Sequence, residues 1–143
     1  MPNVIDRESA KEEVRGWFRH FGEPVDADVE EMIDNSVCLR ASMQGRIMFD
    51  DDSEVFVYSL IKPISKENGE SIETVTVQEP SAEWRFQKQT MRVKSQGSGG
   101  VGEVDINNAG LLMSAATGLS VNMLRRLKNR DYKVIDELCG FFD

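Results

Sequence analysis

Few residues of this chain could do chemistry, and their spacing does not suit it. His20 is the only histidine, and no nucleophile stands beside it, so it has no partner for nucleophilic work. It falls at the end of a helical pattern, where an imidazole suits the negative end of the helix dipole. Asp50, Asp52 and Glu54 alternate as Ca²⁺ ligands sometimes do, yet the run lacks the glycine and the distal glutamate of an EF-hand loop and reads as a solvated acidic turn. Gly97, Gly99 and Gly102 formally match GxGxxG. A dinucleotide fingerprint needs a hydrophobic strand before it and a helix directly after it, and MRVKSQ supplies no such strand, so the glycines read as a connector. Cys38 and Cys139 lie in apolar helical patterns without CxxC or Cys/His spacing, which points to buried reduced thiols. No catalytic, metal or cofactor constellation results. The expectation is a protein that works through its surfaces and carries no cofactor.

Composition narrows the partners of those surfaces. Seventeen basic residues stand against 25 acidic ones, a formal charge of −8, and the summed field repels phosphate backbones and anionic membranes. Neither nucleic acid nor a membrane is expected as a partner. No apolar run approaches the roughly 20 residues of a membrane span, and the first residues carry no apolar core of signal-peptide length, so the protein is expected to stay where it is made. At 143 residues the chain suits one compact domain.

The elements that must position these groups follow from periodicity. Asp6 can cap a helix over 6–21 whose apolar face is Ala10, Val14, Trp17, Phe18 and Phe21. That aromatic face either docks on the body or serves as an anchor for a partner. Gly22 and Pro24 stop it. A second helix is predicted from Asp26 or Asp28, with Asp28 and Glu31 at capping-box spacing, running to Gln44 and ended by Gly45. From Arg46 the period changes to two. Ile47 and Phe49, an acidic tip, and Phe56, Tyr58 and Leu60 alternating with Val55, Val57 and Ser59 predict a β-hairpin. Pro63 fits only at a strand end or edge. Asn68-Gly69 marks a turn, and Ile72, Val75 and Val77 supply a third strand that stops before Pro80. A helix is expected over 83–93 around Trp84, Phe86 and Met91, then a flexible connector, SQGSGGVGE. Three short helices close the chain, with Leu111, Leu112 and Ala115, then Met123, Leu124 and Leu127, then Ile135, Leu138, Cys139 and Phe142 at i, i+3, i+4 spacing. Gly118 can end the first in the left-handed conformation, Ser120 can cap the second, and Asn129 or Asp131 the third.

The predicted class is therefore α+β: a three-stranded antiparallel sheet over about 46–78, packed with N-terminal helices and a C-terminal cluster of short helices. The regions are 1–45 (helical), 46–93 (hairpin, sheet and helix), 94–104 (Gly-rich connector) and 105–143 (helical).

An ordered series of short motifs runs from Leu60 to Phe142: LIKPI at 60–64, NGE at 68–70, ETVTVQEPS at 73–81 and LLMSAATGLSVNMLRRLKNRDYKVIDELCGFF at 111–142. The series resembles the phage tail assembly chaperone family of P2-like, Mu-like and related long-tailed phages (the E, 41 or 14 type). The matching features are Lys62-Pro63, Gly69, Glu79-Pro80, Thr117 to Leu119, Leu124 with Leu127, and Asp131. The N-terminal fifty or so residues are additional to the usual short members, and the Gly-rich connector is unusually long. The resemblance implies a non-enzymatic protein of the host cytoplasm, absent from the mature virion. It would hold the tape measure protein, recruit tail tube protein, and leave self-association open. It makes Leu112, Leu119, Leu124, Leu127, Tyr132 and Phe141 candidates for a client groove, with burial in the core as the other fate of the same side chains. Trp17, Phe18 and Phe21 are the candidates for a separate contact. A structural or tail-completion protein of the virion is the alternative function.

Overall fold

A computed structural model describes residues 4–86, 90–94, 101–105 and 108–143. Helix α1, Arg7–His20, begins where Asp6 accepts the Ser9 amide at 2.7 Å. It turns Ala10, Val14 and Trp17 inward, with Glu8 in its first turn and Arg19 in its last, the charge order that the dipole favours. Gly22, at φ +81°, carries the chain out of it.

The single helix expected from Asp26 or Asp28 to Gln44 is two helices. Helix α2 is Ala27–Asp34 and is capped by Asp26, which accepts the Val29 amide, so Asp28 and Glu31 form no capping box. Helix α3 is Val37–Met43. Ser36 between them is extended (φ −77°, ψ 135°) and its hydroxyl accepts the Cys38 amide. Glu137, a hundred residues further on, also accepts the amides of Val37 and Cys38, each at 3.2 Å. A cap delivered from another helix pins the break, and an apolar pattern does not record it.

Strands β1 (Ile47–Asp50) and β2 (Val55–Ser65) form the expected hairpin, and β3 (Ser71–Val77) completes an antiparallel sheet of order β1-β2-β3. Phe56, Tyr58 and Leu60 point to the core with Val75 and Val77. This is one face of a half-covered sheet. The register then jumps from Ser59 opposite Thr74 to Ile64 opposite Ile72. Residues 60–63 thus bulge out against Glu73 alone, which is how a strand accommodates Pro63. Gly69 turns the chain into β3 at φ +88°.

The helix expected over 83–93 is not formed. Ala82–Phe86 is a short 3₁₀ turn, and Thr90–Lys94 is strand β4, antiparallel to β5, Val101–Asp105. Part of the predicted connector is therefore a strand, because the backbone of 101–105 pairs with that of 90–94 in a two-stranded ladder. Gly97 and Gly99 lie outside the described residues.

The C-terminal region folds as three helices, α4 (Asn108–Thr117), α5 (Val121–Leu124) and α6 (Asn129–Cys139), followed by the 3₁₀ turn Gly140–Phe142. Gly118 sits at φ +74° past the end of α4, and Ser120 caps α5 by accepting the Met123 amide. Neither Asn129 nor Asp131 caps α6: the cap position is Lys128, without a side-chain bond. The helices cover the inner face of the sheet, and the core runs continuously from Val14 and Trp17 through Phe56, Tyr58 and Val77 to Met113, Leu124, Ile135 and Leu138. The chain is thus α+β.

Candidate partner-binding cleft

Asp131 is fully buried, although it carries a carboxylate. It accepts the Tyr58 hydroxyl at 2.6 Å, the Ile61 amide at 2.9 Å and the Lys62 amide at 3.1 Å. The last two donors belong to the β2 bulge, where the irregular register leaves backbone groups without a strand partner. Arg46 serves the same bulge from the other side, donating to the carbonyls of Ser59 and Leu60 at 3.3 and 3.2 Å. The Lys62-Pro63 pair and the distant Asp131 are therefore parts of one device: the proline forces the bulge, and the aspartate satisfies it. Burial, and next the bond to Asp131, push the Tyr58 phenol well above its usual range.

The aromatic side chains gather at the other end of α1. Phe56 stands 5.2 Å from Trp17 and 5.5 Å from Phe141, ring centre to ring centre. Phe141 also meets Phe18 at 5.0 Å and Phe21 at 5.4 Å, within the range in which ring pairs attract. Beside this cluster, α1, α2, the start of α3 and the C-terminal turn enclose a cleft of about 650 Å³. Its walls include Trp17, Phe18, Phe21, Met32 and Phe141, and its acidic members are Glu23, Glu137 and Asp143. Met32 is 58% exposed, an unbranched thioether at the mouth that can adapt to a partner's surface.

Of the residues singled out from sequence, Trp17, Phe18, Phe21 and Phe141 are brought together in this cleft. Leu112, Leu124 and Leu127 are buried in the core. Leu119 is half-buried in the α4–α5 turn, where its amide donates to the Thr117 hydroxyl and its carbonyl accepts from Ser114. Tyr132 is half-buried on α6, and burial raises its phenol. Sequence reasoning did not single out Met32 as a cleft residue or Asp131 as the bulge's acceptor. Met32 lay within the helix predicted to run to Gln44, whereas nothing local to Asp131 marked its long-range role.

The other reactive groups are occupied or inert. Cys38 and Cys139 are free and buried; burial raises the Cys38 thiol and pushes Cys139 up to about 12, so neither is a ready thiolate. His20 meets Glu54 at 3.1 Å and lies between Phe21 and Phe49. The carboxylates of Asp50, Asp51 and Asp52 come within 4.8 Å of one another at the exposed hairpin tip. There the Ser53 hydroxyl holds Asp50 below the usual range and Asp50 accepts the Asp52 amide, a self-contained turn. No described helix is long and apolar enough to cross a membrane.

Residues 57–143, more than half of the chain, match the model of a family described as phage tail assembly chaperone proteins, E, or 41 or 14. The match takes in the β2 bulge, β3 and all of α4 to α6, and leaves α1 to α3 and β1 outside. No curated protein and no solved structure gives a significant match.

Proposed function

Since the chain belongs to the phage tail assembly chaperone family, we propose that it binds the tape measure protein, keeps it soluble in the host cytoplasm, brings tail tube protein to it, and leaves before the virion is complete. The match over 57–143 carries this reading. The cleft supplies a physical means for it. Half-exposed Phe18, Phe21 and Phe141 with Met32 offer an apolar surface of the sort on which an amphipathic helix lays its face. A net charge of −8 keeps a complex with an apolar client in solution. In this role the protein acts by binding, without catalysis. The residues before 57 then have a defined part: α1 and α2 form most of the cleft against the C-terminal Phe141 of the family region.

Co-expression with the tape measure protein encoded beside it, followed by size-exclusion chromatography, tests the proposal. A soluble co-eluting complex is expected with the wild-type chain, and its loss with Met32→Asp, a variant at an exposed position that leaves the fold intact. A tape measure protein equally soluble without this chain would overturn the proposal, as would abundant copies of the chain in purified particles, which a structural virion protein would give.

A further inference from the structure

A second pocket, sharing no lining residue with the aromatic cleft, lies between α3, β2 and α6. It holds about 260 Å³, and three cations stand around it: Arg40 of α3 and Arg130 and Lys133 of α6. None of the three side chains has an ion pair or hydrogen bond among the described residues. The cations of α1 differ. All four cations of α1 are paired: Arg7 and Lys11 with Asp34, Arg15 with Glu30, and Arg19 with Glu12. Two acids of α6 are committed elsewhere. Asp131 bonds Tyr58 and the bulge amides, and Glu137 bonds the first amides of α3.

The rest of the lining restricts what would satisfy these cations. Gln44 spends its amide oxygen on Arg46, so its amide nitrogen remains as a donor, and Asn129 adds a second side-chain amide. The floor is apolar: Val37, Ala41, Ile61, Val134 and the ring of Tyr58. Donors at the rim and hydrocarbon below fit a carboxylate carried on an aliphatic stem better than a bare phosphate, which would leave the floor unused.

We propose that this pocket docks an acidic segment of a protein partner, seating a glutamate side chain among Arg40, Arg130 and Lys133. The contact is separate from the client-holding cleft and does not rest on the chaperone reading.

Titration of the isotopically labelled full chain with a capped hexaglutamate peptide, followed by amide NMR, tests it. Saturable shifts are expected at residues of the pocket, with none at the aromatic cleft. Affinity should weaken about tenfold in Arg130→Gln/Lys133→Gln and fall as salt is raised. Both positions are exposed, so the variant keeps the wild-type circular dichroism spectrum, and Arg40→Gln serves as an independent variant on another helix. Absence of saturable pocket shifts, or equal binding by the variants, overturns the site. Tighter binding of inorganic phosphate or of hexathymidylate than of hexaglutamate overturns its assignment to an acidic protein segment. Loss of the tape measure complex in Met32→Asp tests the other surface, so the two readings fail separately.

Discussion

Replacing Asp131 with alanine should come close to unfolding the protein, for a reason that lies in β2 and outside α6. The carboxylate is fully buried and serves three donors, so the variant leaves the Tyr58 hydroxyl, itself in a fully buried residue, without an acceptor. It also releases the amides of Ile61 and Lys62 from the bulge. An orphaned buried polar group costs about 1–3 kcal/mol. The hydroxyl falls in the upper part of that range. The two amides fall in the lower part, because Ile61 is half-buried and Lys62 exposed, and water can reach them. The sum is about 4–5 kcal/mol, a large share of the ~5–15 kcal/mol that holds a domain of this size folded. Asp131→Asn keeps one carbonyl oxygen for an amide, and the Tyr58 hydroxyl can turn to accept from the new amide group, so a loss of about 1–2 kcal/mol is expected. Tyr58→Phe removes one bond to a charged acceptor, about 1.5–3 kcal/mol. Urea denaturation followed by far-ultraviolet circular dichroism and tryptophan fluorescence gives each value by linear extrapolation. The Tyr58→Phe/Asp131→Ala double variant should cost less than the sum of its parts, since both changes remove the same bond. An Asp131→Ala variant within about 1 kcal/mol of wild type, or strict additivity with Tyr58→Phe, would refute the account of the bulge.

Two further outcomes test the N-terminal helices and the α4 end. Hydrogen bonds from Arg15 to Glu30 and from Lys11 to Asp34 hold both carboxylates below their usual range. Their folded values lie under their unfolded ones, so the stabilisation is present above the unfolded values and lost as pH falls through the folded ones. The stability gap between wild type and Lys11→Met/Arg15→Met should therefore be constant above about pH 5 and narrow as pH falls below the ordinary carboxylate range of about 4; urea midpoints on both sides of that range check it, and a gap unchanged at the acid end would contradict it. Gly118→Ala should cost about 1 kcal/mol, read as a lowered thermal midpoint. An added Cβ meets nothing within 4 Å, so the left-handed φ of +74° is the whole penalty; a much larger loss would show that the site is crowded.

Much of the backbone was legible in the sequence because its signals are local. Asp6, Ser120, Gly69 and Gly118 act within four residues of themselves, and the alternation of Phe56, Tyr58 and Leu60 marks a sheet with one covered face whatever covers it. The ordered motifs from Leu60 onward also carried the family, and in this chain Lys62-Pro63 falls in the bulge, Gly69 in a turn and Gly118 at the end of α4. The errors fell where a partner distant in sequence decides. Helix α2 separates from α3 because Glu137 arrives to cap α3. Residues 90–94 form a strand because 101–105 lie alongside, and no pattern within 83–93 contains that information. Asp131 looks like a helix-starting aspartate and instead binds a strand some seventy residues earlier. The functional surfaces are of this second kind. The aromatic cleft needs the N-terminal Trp17, Phe18 and Phe21 to meet Phe141 near the C-terminus, and the cationic pocket needs Arg40 to meet Arg130 and Lys133. Sequence alone determined which side chains were available and which local elements would carry them. Only the tertiary structure decided which became core and which face a partner, because that depends on which faces the packing of α1, α3 and α6 on the sheet leaves uncovered.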